Sequence, residues 1–180
     1  VDLEFCIYMV NLVPPLAERR LMAPYCFQPA CSPHLAAAQA CETISVSRIV
    51  DDFSALKAGH DLVIVEGAGG VLVPSTSEKT MLDLMVRLSL PVLLVARPWL
   101  GTINHTLLSL RELARAGVPV LGVIFNDFRP CTRDEIVSDN RLTIERFGYL
   151  PVLGHLPFIK EIKTKPYKAF LDACSPHLPS

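Results

Sequence analysis

The sequence predicts an α/β fold: an open, mostly parallel sheet flanked by helices. Three observations predict it. Short, β-branched apolar runs recur along the chain, and segments with a helical apolar period lie between them. The runs are apolar throughout rather than alternating, which is the pattern of strands buried on both faces. Repetition of strand and helix builds right-handed βαβ units, whose ligands bind beyond the carboxyl ends of the strands.

Residues 1–45, the first segment in chain order, are rich in Pro, Ala and Cys and show no clear strand. Pro14-Pro15 and Pro24 punctuate them, so one short helix is expected near Pro15 to Arg20 and loop elsewhere. Arg48 to Ala58 reads as a helix ended by Gly59. Leu62-Val63-Ile64-Val65 reads as a buried strand that stops at Glu66. Thr80 to Leu90 reads as a helix, and Pro91 to Ala96 as the second strand. Ile103, Leu107, Leu110 and Ala114 share one helical face, with Gly117 as the stop. Pro119 to Phe125 is the third strand. Thr132 and Glu135 have capping-box spacing before Ile136, and Gly148 closes that helix. Val152 to Leu156 is a weaker fourth strand. No domain boundary is evident. The chain reads as one domain over 1–180, with an irregular segment 1–45, an α/β core 46–160 and a tail 161–180. The pentapeptide Cys-Ser-Pro-His-Leu occurs at 31–35 and again at 174–178, but nothing around it repeats, which excludes a solenoid.

Composition excludes several classes. At 180 residues there is room for one ordinary domain, and 51% apolar against 19% charged residues excludes intrinsic disorder. Seventeen basic against eighteen acidic residues give a net charge of -1, with no basic run, which disfavours nucleic acid and anionic membrane as partners. Charge, Gly or Pro interrupts every apolar stretch before it could span a bilayer. Six cysteines, dilute and irregularly spaced, favour a reducing compartment and a cytoplasmic protein. Val1-Asp2-Leu3-Glu4 has no basic leader character, and a chain opening on Val is expected to be processed or a fragment.

Three stretches carry chemistry. Glu66 ends a predicted strand and is followed by Gly67-Ala68-Gly69-Gly70. A carboxylate there can hold a divalent cation against a phosphate, and glycines let N–H groups approach anionic oxygens. Alone, the stretch fits equally a tight turn with a surface Glu. Leu100 to Thr106 follows the next strand and opens a helix, a seat for a carboxylate or phosphate, or simply a capped helix start. Asn126-Asp127 ends the third strand. An Asn amide can read a donor and an acceptor on a base edge, or sit in a turn.

Taken together, Tyr25 to Ala38, Val63 to Pro74, Leu100 to His105 and Gly122 to Asn126 resemble dethiobiotin synthetase, in that family's order and at about its spacing, from about Asp2 to about Pro157. The resemblance implies a P-loop NTPase-like fold and a ligase that uses ATP, Mg²⁺ and CO₂ to close a cyclic urea on 7,8-diaminopelargonate. The substrate's carbamate is phosphorylated, and the second amine displaces phosphate. It implies that Glu66 is a Mg²⁺ ligand, with Asp2 where the family has a second acidic one. Gly67, Ala68 and Gly69 would lie against nucleotide and carbamate. Asn126 would hydrogen-bond adenine, with Asp127 beside it, and Pro157, Phe158 and Ile159 would line the adenine pocket. Gly101, Thr102, Ile103 and Asn104 would hold the substrate carboxylate, across the interface of a homodimer.

The departure from the family is at the front. No Gly is followed by Lys, so the chain has no G-x-x-x-x-G-K-[ST] loop. The resemblance therefore implies an N-terminally truncated domain, inactive alone, with no catalytic residue of its own. Lys57, Lys79, Lys160 and Lys163 fall in no matching context. Two other readings stand beside the ligase: a catalytically dead homologue serving as a binding or dimerisation module, and a related amidoligase with another carboxylate substrate. Other chemistries are disfavoured. Cys31/His34 and Cys174/His177 form two Cys-x-x-His half-sites, but Pro sits inside each as a turn-former. Cys26, Cys31 and Cys41 lack redox spacing, and no G-x-S-x-G elbow occurs. His105 reads as structural, with a general base as the lesser alternative, and residues 133–146 as a solvated helix face.

Overall fold

The chain divides into two units, Val1–Ser89 and Leu90–Ser180, in a computed structural model that describes residues 2–28, 30–130 and 134–159.

The first unit is helical: α1 (Asp2–Met9), α2 (Leu16–Met22), α3 (Pro33–Gln39), α4 (Val46–Gly59) and α5 (Met81–Leu88). The sequence predicts only the second of these within 1–45, so α1 and α3 are corrections. Asp2 and Glu4 suit the positive end of α1, and Glu4 pairs with Arg19 of α2. Pro33 stands at the first position of α3. There its missing N–H costs nothing and its fixed φ is already helical. Ala36 and Ala37, strong helix formers, are buried. α4 starts at Ser45, whose Oγ accepts from the Arg48 N–H at 3.3 Å. The Ser45 N–H in turn donates to the Tyr25 hydroxyl at 2.9 Å, and the Arg48 guanidinium lies 5.0 Å from the Tyr25 ring centre.

α5 begins on a firm cap. The Asp83 carboxylate accepts from the Thr80 N–H at 2.7 Å and from the Thr80 hydroxyl at 2.9 Å. The Thr80 N–H, then its hydroxyl, hold the Asp83 carboxyl below its ordinary value of 3.8; burial opposes them, and Lys79 adds a smaller pull downward. A depressed carboxylate pKa stabilises the fold above its unfolded value, and that contribution is lost as pH falls through the lower folded value. Asp83→Asn is therefore expected to lower Tm at neutral pH and to have no effect once pH is below the folded pKa. Paired melting curves of wild type and variant check this; a constant Tm difference down to the lowest pH would refute it.

Leu62–Val65 is not a strand. The segment is irregular, with Leu62 77% and Ile64 85% exposed, and among the described residues it has no ladder partner. A β-branched run becomes a strand only when a neighbour takes its N–H and C=O groups. Residues 71–80 are more ordered. The Met81 and Leu82 N–H groups donate to the Val73 and Val71 carbonyls, each at 2.9 Å. Ser75, 1% exposed, donates its hydroxyl to the Lys79 carbonyl at 3.0 Å.

The second unit runs β1 (Val92–Ala96), α6 (Thr102–Arg115), β2 (Val120–Asn126), α7 (Asp134–Gly148) and β3 (Val152–Leu156). The three strands form a parallel sheet in the order β1-β2-β3. These are the strands and helices the sequence predicts, within a residue or two at their ends. The Thr132 part of the predicted capping box lies outside the described residues. Leu110, Val123, Phe125, Ile144 and Val152 make the core, with Leu94, Ala96, Ile103 and Leu107 packed against it. Both helices therefore cover one face of the sheet. β1 alternates in burial, and Leu93 and Val95 are exposed, which corrects the expectation of strands buried on both faces.

Candidate functional site

Each unit presents part of the predicted site. In the first, Glu66 and residues 67–70 form an exposed turn. Gly69 has φ +82°, and a Cβ there would lie 2.9 Å from Val73 Cγ2, so the turn needs glycine at this point. Among the described residues, the N–H groups of Gly67, Ala68, Gly69 and Gly70 make no backbone hydrogen bond, and the Glu66 carboxylate has no hydrogen-bond or ion-pair partner. No three His, Cys, Asp or Glu side chains converge on a metal site among the described residues. Mg²⁺ does not require such convergence. It binds through one or two carboxylates and completes its shell with water and phosphate oxygens. One exposed carboxylate beside free N–H donors fits that habit. Asp2 stands at the first position of α1, and its side chain lies outside the described residues.

In the second unit the predicted residues gather at the carboxyl ends of the strands. Gly101, at φ +92°, caps α6, and no side chain caps it. Thr102 is buried, its Oγ1 3.3 Å from that of Thr106, so its hydroxyl faces the interior. Its N–H donates to the Trp99 carbonyl at 2.9 Å. Among the described residues the Ile103 and Asn104 N–H groups make no backbone hydrogen bond and stand at the positive end of a fourteen-residue helix. The His105 N–H donates to the Gly101 carbonyl at 3.1 Å, and its carbonyl accepts from the Ser109 hydroxyl.

Asn126 is exposed at the last position of β2, opposite Leu156 in β3. Pro157, Phe158 and Ile159 follow β3 as irregular chain, with Phe158 partly exposed. Asp127 differs from its neighbour. Its side chain is 4% exposed, and both of its oxygens are engaged. The Trp99 Nε1–H donates to Oδ1 at 2.8 Å, and His155 Nε2 lies 2.8 Å from Oδ2. Its own N–H donates to the Leu156 carbonyl at 3.0 Å. Trp99 stacks on Phe128 at 5.1 Å, and the Arg129 guanidinium sits 3.3 Å from the Trp99 ring centre. The Asn140 amide donates to the Pro98 carbonyl at 2.9 Å and secures the same loop from α7. Sequence reasoning misses Trp99, His155 and Asn140. The signal was present: Trp99 is the chain's single Trp, two residues before the helix-start glycine, and His155 is the one imidazole in a predicted strand.

The parallel strand–helix repeat of the second unit is that of an α/β domain, and the family match gives its class as P-loop NTPase-like. A family profile described as an AAA domain matches residues 9–165, and the chain belongs to that family. It is 41% identical over 141 residues to the ATP-dependent dethiobiotin synthetase BioD of Anaeromyxobacter dehalogenans (strain 2CP-C), covering 78% of this chain and 63% of that relative. It is 34% identical over 164 residues to the protein of the same name from Bacillus cereus (strain B4264), covering 91% of this chain and 66% of that relative. The resemblance drawn from the motifs is thus borne out. The chain spans somewhat less than two thirds of the length of these relatives. Among the described residues, no helix is long and apolar enough to cross a membrane.

Proposed function

We propose that the full-length protein is an ATP- and Mg²⁺-dependent ligase that forms the ureido ring of dethiobiotin from 7,8-diaminopelargonate and CO₂, through a phosphorylated carbamate. The observation that carries the reading is the turn at Glu66: an exposed carboxylate beside four N–H groups that have no backbone partner among the described residues, in a chain 41% identical over 141 residues to a dethiobiotin synthetase. Phosphoryl transfer depends on positioning and on neutralising charge, and this turn is suited to both. Bound Mg²⁺ would supply that neutralisation, held by Glu66 with Asp2 as the second carboxylate. Gly67, Ala68 and Gly69 orient phosphate and carbamate oxygens through their N–H groups. The Asn126 amide reads the adenine edge, and Pro157, Phe158 and Ile159 flank the base. The Ile103 and Asn104 N–H groups, at the helix start set by Gly101 and Thr102, receive the substrate carboxylate, in a cytoplasmic homodimer.

The second reading is a non-catalytic binding or dimerisation module. One assay separates the two. The full-length protein is incubated with ATP, Mg²⁺, bicarbonate and 7,8-diaminopelargonate, and dethiobiotin and phosphate are measured. The ligase reading expects equal amounts of both products, abolished by chelating Mg²⁺. ATP binding without either product would select the second reading. Phosphate released only with another carboxylic acid would point to a different amidoligase.

A further inference from the structure

We propose that Asp127 does not touch nucleotide and is instead a positioning residue. Its carboxylate ties the loops after β1 and β2 to the end of β3 and so fixes Asn126 for base recognition. The proposal rests on the nucleotide-binding reading of the protein and adds to it. Asp127 would be expected to offer its carboxylate to the base beside Asn126, but both oxygens are engaged inside the protein and turned away from solvent. Oδ1 is taken by the indole N–H of Trp99 and Oδ2 by the imidazole of His155, each at 2.8 Å. The side chain is 4% exposed, so a third partner has no access.

Two loops and the end of a strand meet on this one group. Trp99 belongs to the loop after β1, Asp127 to the loop after β2, and His155 to the end of β3. Each loop has a further anchor. Asn140 holds the Pro98 carbonyl, and Leu156 holds the Asp127 N–H. The imidazole of His155 meets Phe125 edge-on at 6.2 Å. Asn126 lies between two fixed residues, Phe125 in the core and Asp127 in the clamp, with its own side chain exposed. A backbone pinned on both sides fixes where the amide starts and leaves only its side-chain torsions to order, which lowers the cost of a two-point contact to a base edge. The hydrogen bonds of a buried carboxylate are among the stronger ones, so the clamp can hold that backbone in place.

The test uses the full-length protein and compares ATP with tripolyphosphate, which carries the phosphates and no base. Asn126→Ala establishes the base contact and Asp127→Ala opens the clamp. Trp99→Phe removes only the indole N–H, keeps an aromatic ring against Phe128, and serves if Asp127→Ala fails to fold. Asp127→Asn keeps an oxygen for the indole. Asp127→Ala and Trp99→Phe are each expected to weaken ATP about tenfold and to leave tripolyphosphate unchanged, with Asp127→Asn intermediate. Trp99 reports the clamp directly: the part of the emission lost in Trp99→Phe should shift in Asp127→Ala, and less in Asp127→Asn. If Asn126→Ala weakens ATP while the clamp variants bind it as wild type does, the proposal is overturned. Equal loss of ATP and tripolyphosphate in the clamp variants overturns it too, because the effect would then be general. If wild type binds neither ATP nor tripolyphosphate, or Asn126→Ala changes nothing, the nucleotide reading fails rather than the clamp alone.

Discussion

Phe125→Ala is expected to lower the stability of the protein by about 3–5 kcal/mol, with a matching fall in the urea midpoint. Phe125 is 1% exposed and packs with Leu110, Val123, Ile144 and Val152. Truncation removes the transfer free energy of the ring and leaves a cavity that two helices and a sheet cannot collapse to fill. The loss should reach beyond the core. Phe125 precedes Asn126 and Asp127, and its ring packs perpendicular to that of His155, so the clamp loses one wall of its setting. Phe147→Ala is the internal control. That ring lies on the outer surface of α7, 56% exposed, and its loss should change stability by no more than about 0.5 kcal/mol. Denaturant unfolding of the two variants decides the matter. Equal effects would mean that the core between the sheet and its two helices is not the one that holds the protein together.

How much of the fold was legible in the sequence depended on how local the cause was. β1, β2, β3, α6 and α7 are readable because each carries its own signal: a β-branched run with a turn at its end, or an apolar stripe ended by glycine. Even so, continuous apolarity in Pro91 to Ala96 suggested two covered faces where α6 and α7 cover one. Leu62–Val65 has the same local signal as β1 but no strand beside it, and pairing is not a property of the segment itself. Pro33 was misleading for a different reason. The residue that signals a turn in a loop is also favoured at the first position of a helix, and only the three alanines after it distinguish the two cases. The site divided along the same line. The glycine turn and the helix start announce themselves by residue type and spacing. The partners of Asp127 do not, since Trp99 and His155 each lie 28 residues from it in sequence and reach it only through parallel strand pairing.

Glu66→Gln in the full-length protein is expected to lower turnover by about 10²-fold or more, and to raise the Mg²⁺ concentration needed for half-maximal rate. The substitution keeps shape and removes charge. A neutral amide oxygen is a much poorer ligand for a hard cation than a carboxylate, so the deficit should fall on the metal-dependent step. Stability should be nearly untouched, within about 0.5 kcal/mol, because the side chain is exposed and has no hydrogen-bond or ion-pair partner among the described residues. That separation makes the variant informative. A core residue that lost activity could have done so by unfolding, whereas Glu66 has no hydrogen bond or ion pair to lose among the described residues. The rest of the turn sharpens the test. Gly69, at φ +82°, is held against Val73, and Val71 and Val73 are hydrogen-bonded to the start of α5. The carboxylate is thus carried on an anchored segment, and its removal leaves the free N–H groups of residues 67–70 in place. Phosphate binding should therefore survive in the variant while turnover falls. If turnover and its Mg²⁺ dependence are both unchanged, Glu66 is a surface turn residue and the metal is held elsewhere. If phosphate binding disappears along with turnover, the carboxylate shapes the turn itself, and the division of labour between Glu66 and the glycine N–H groups is wrong.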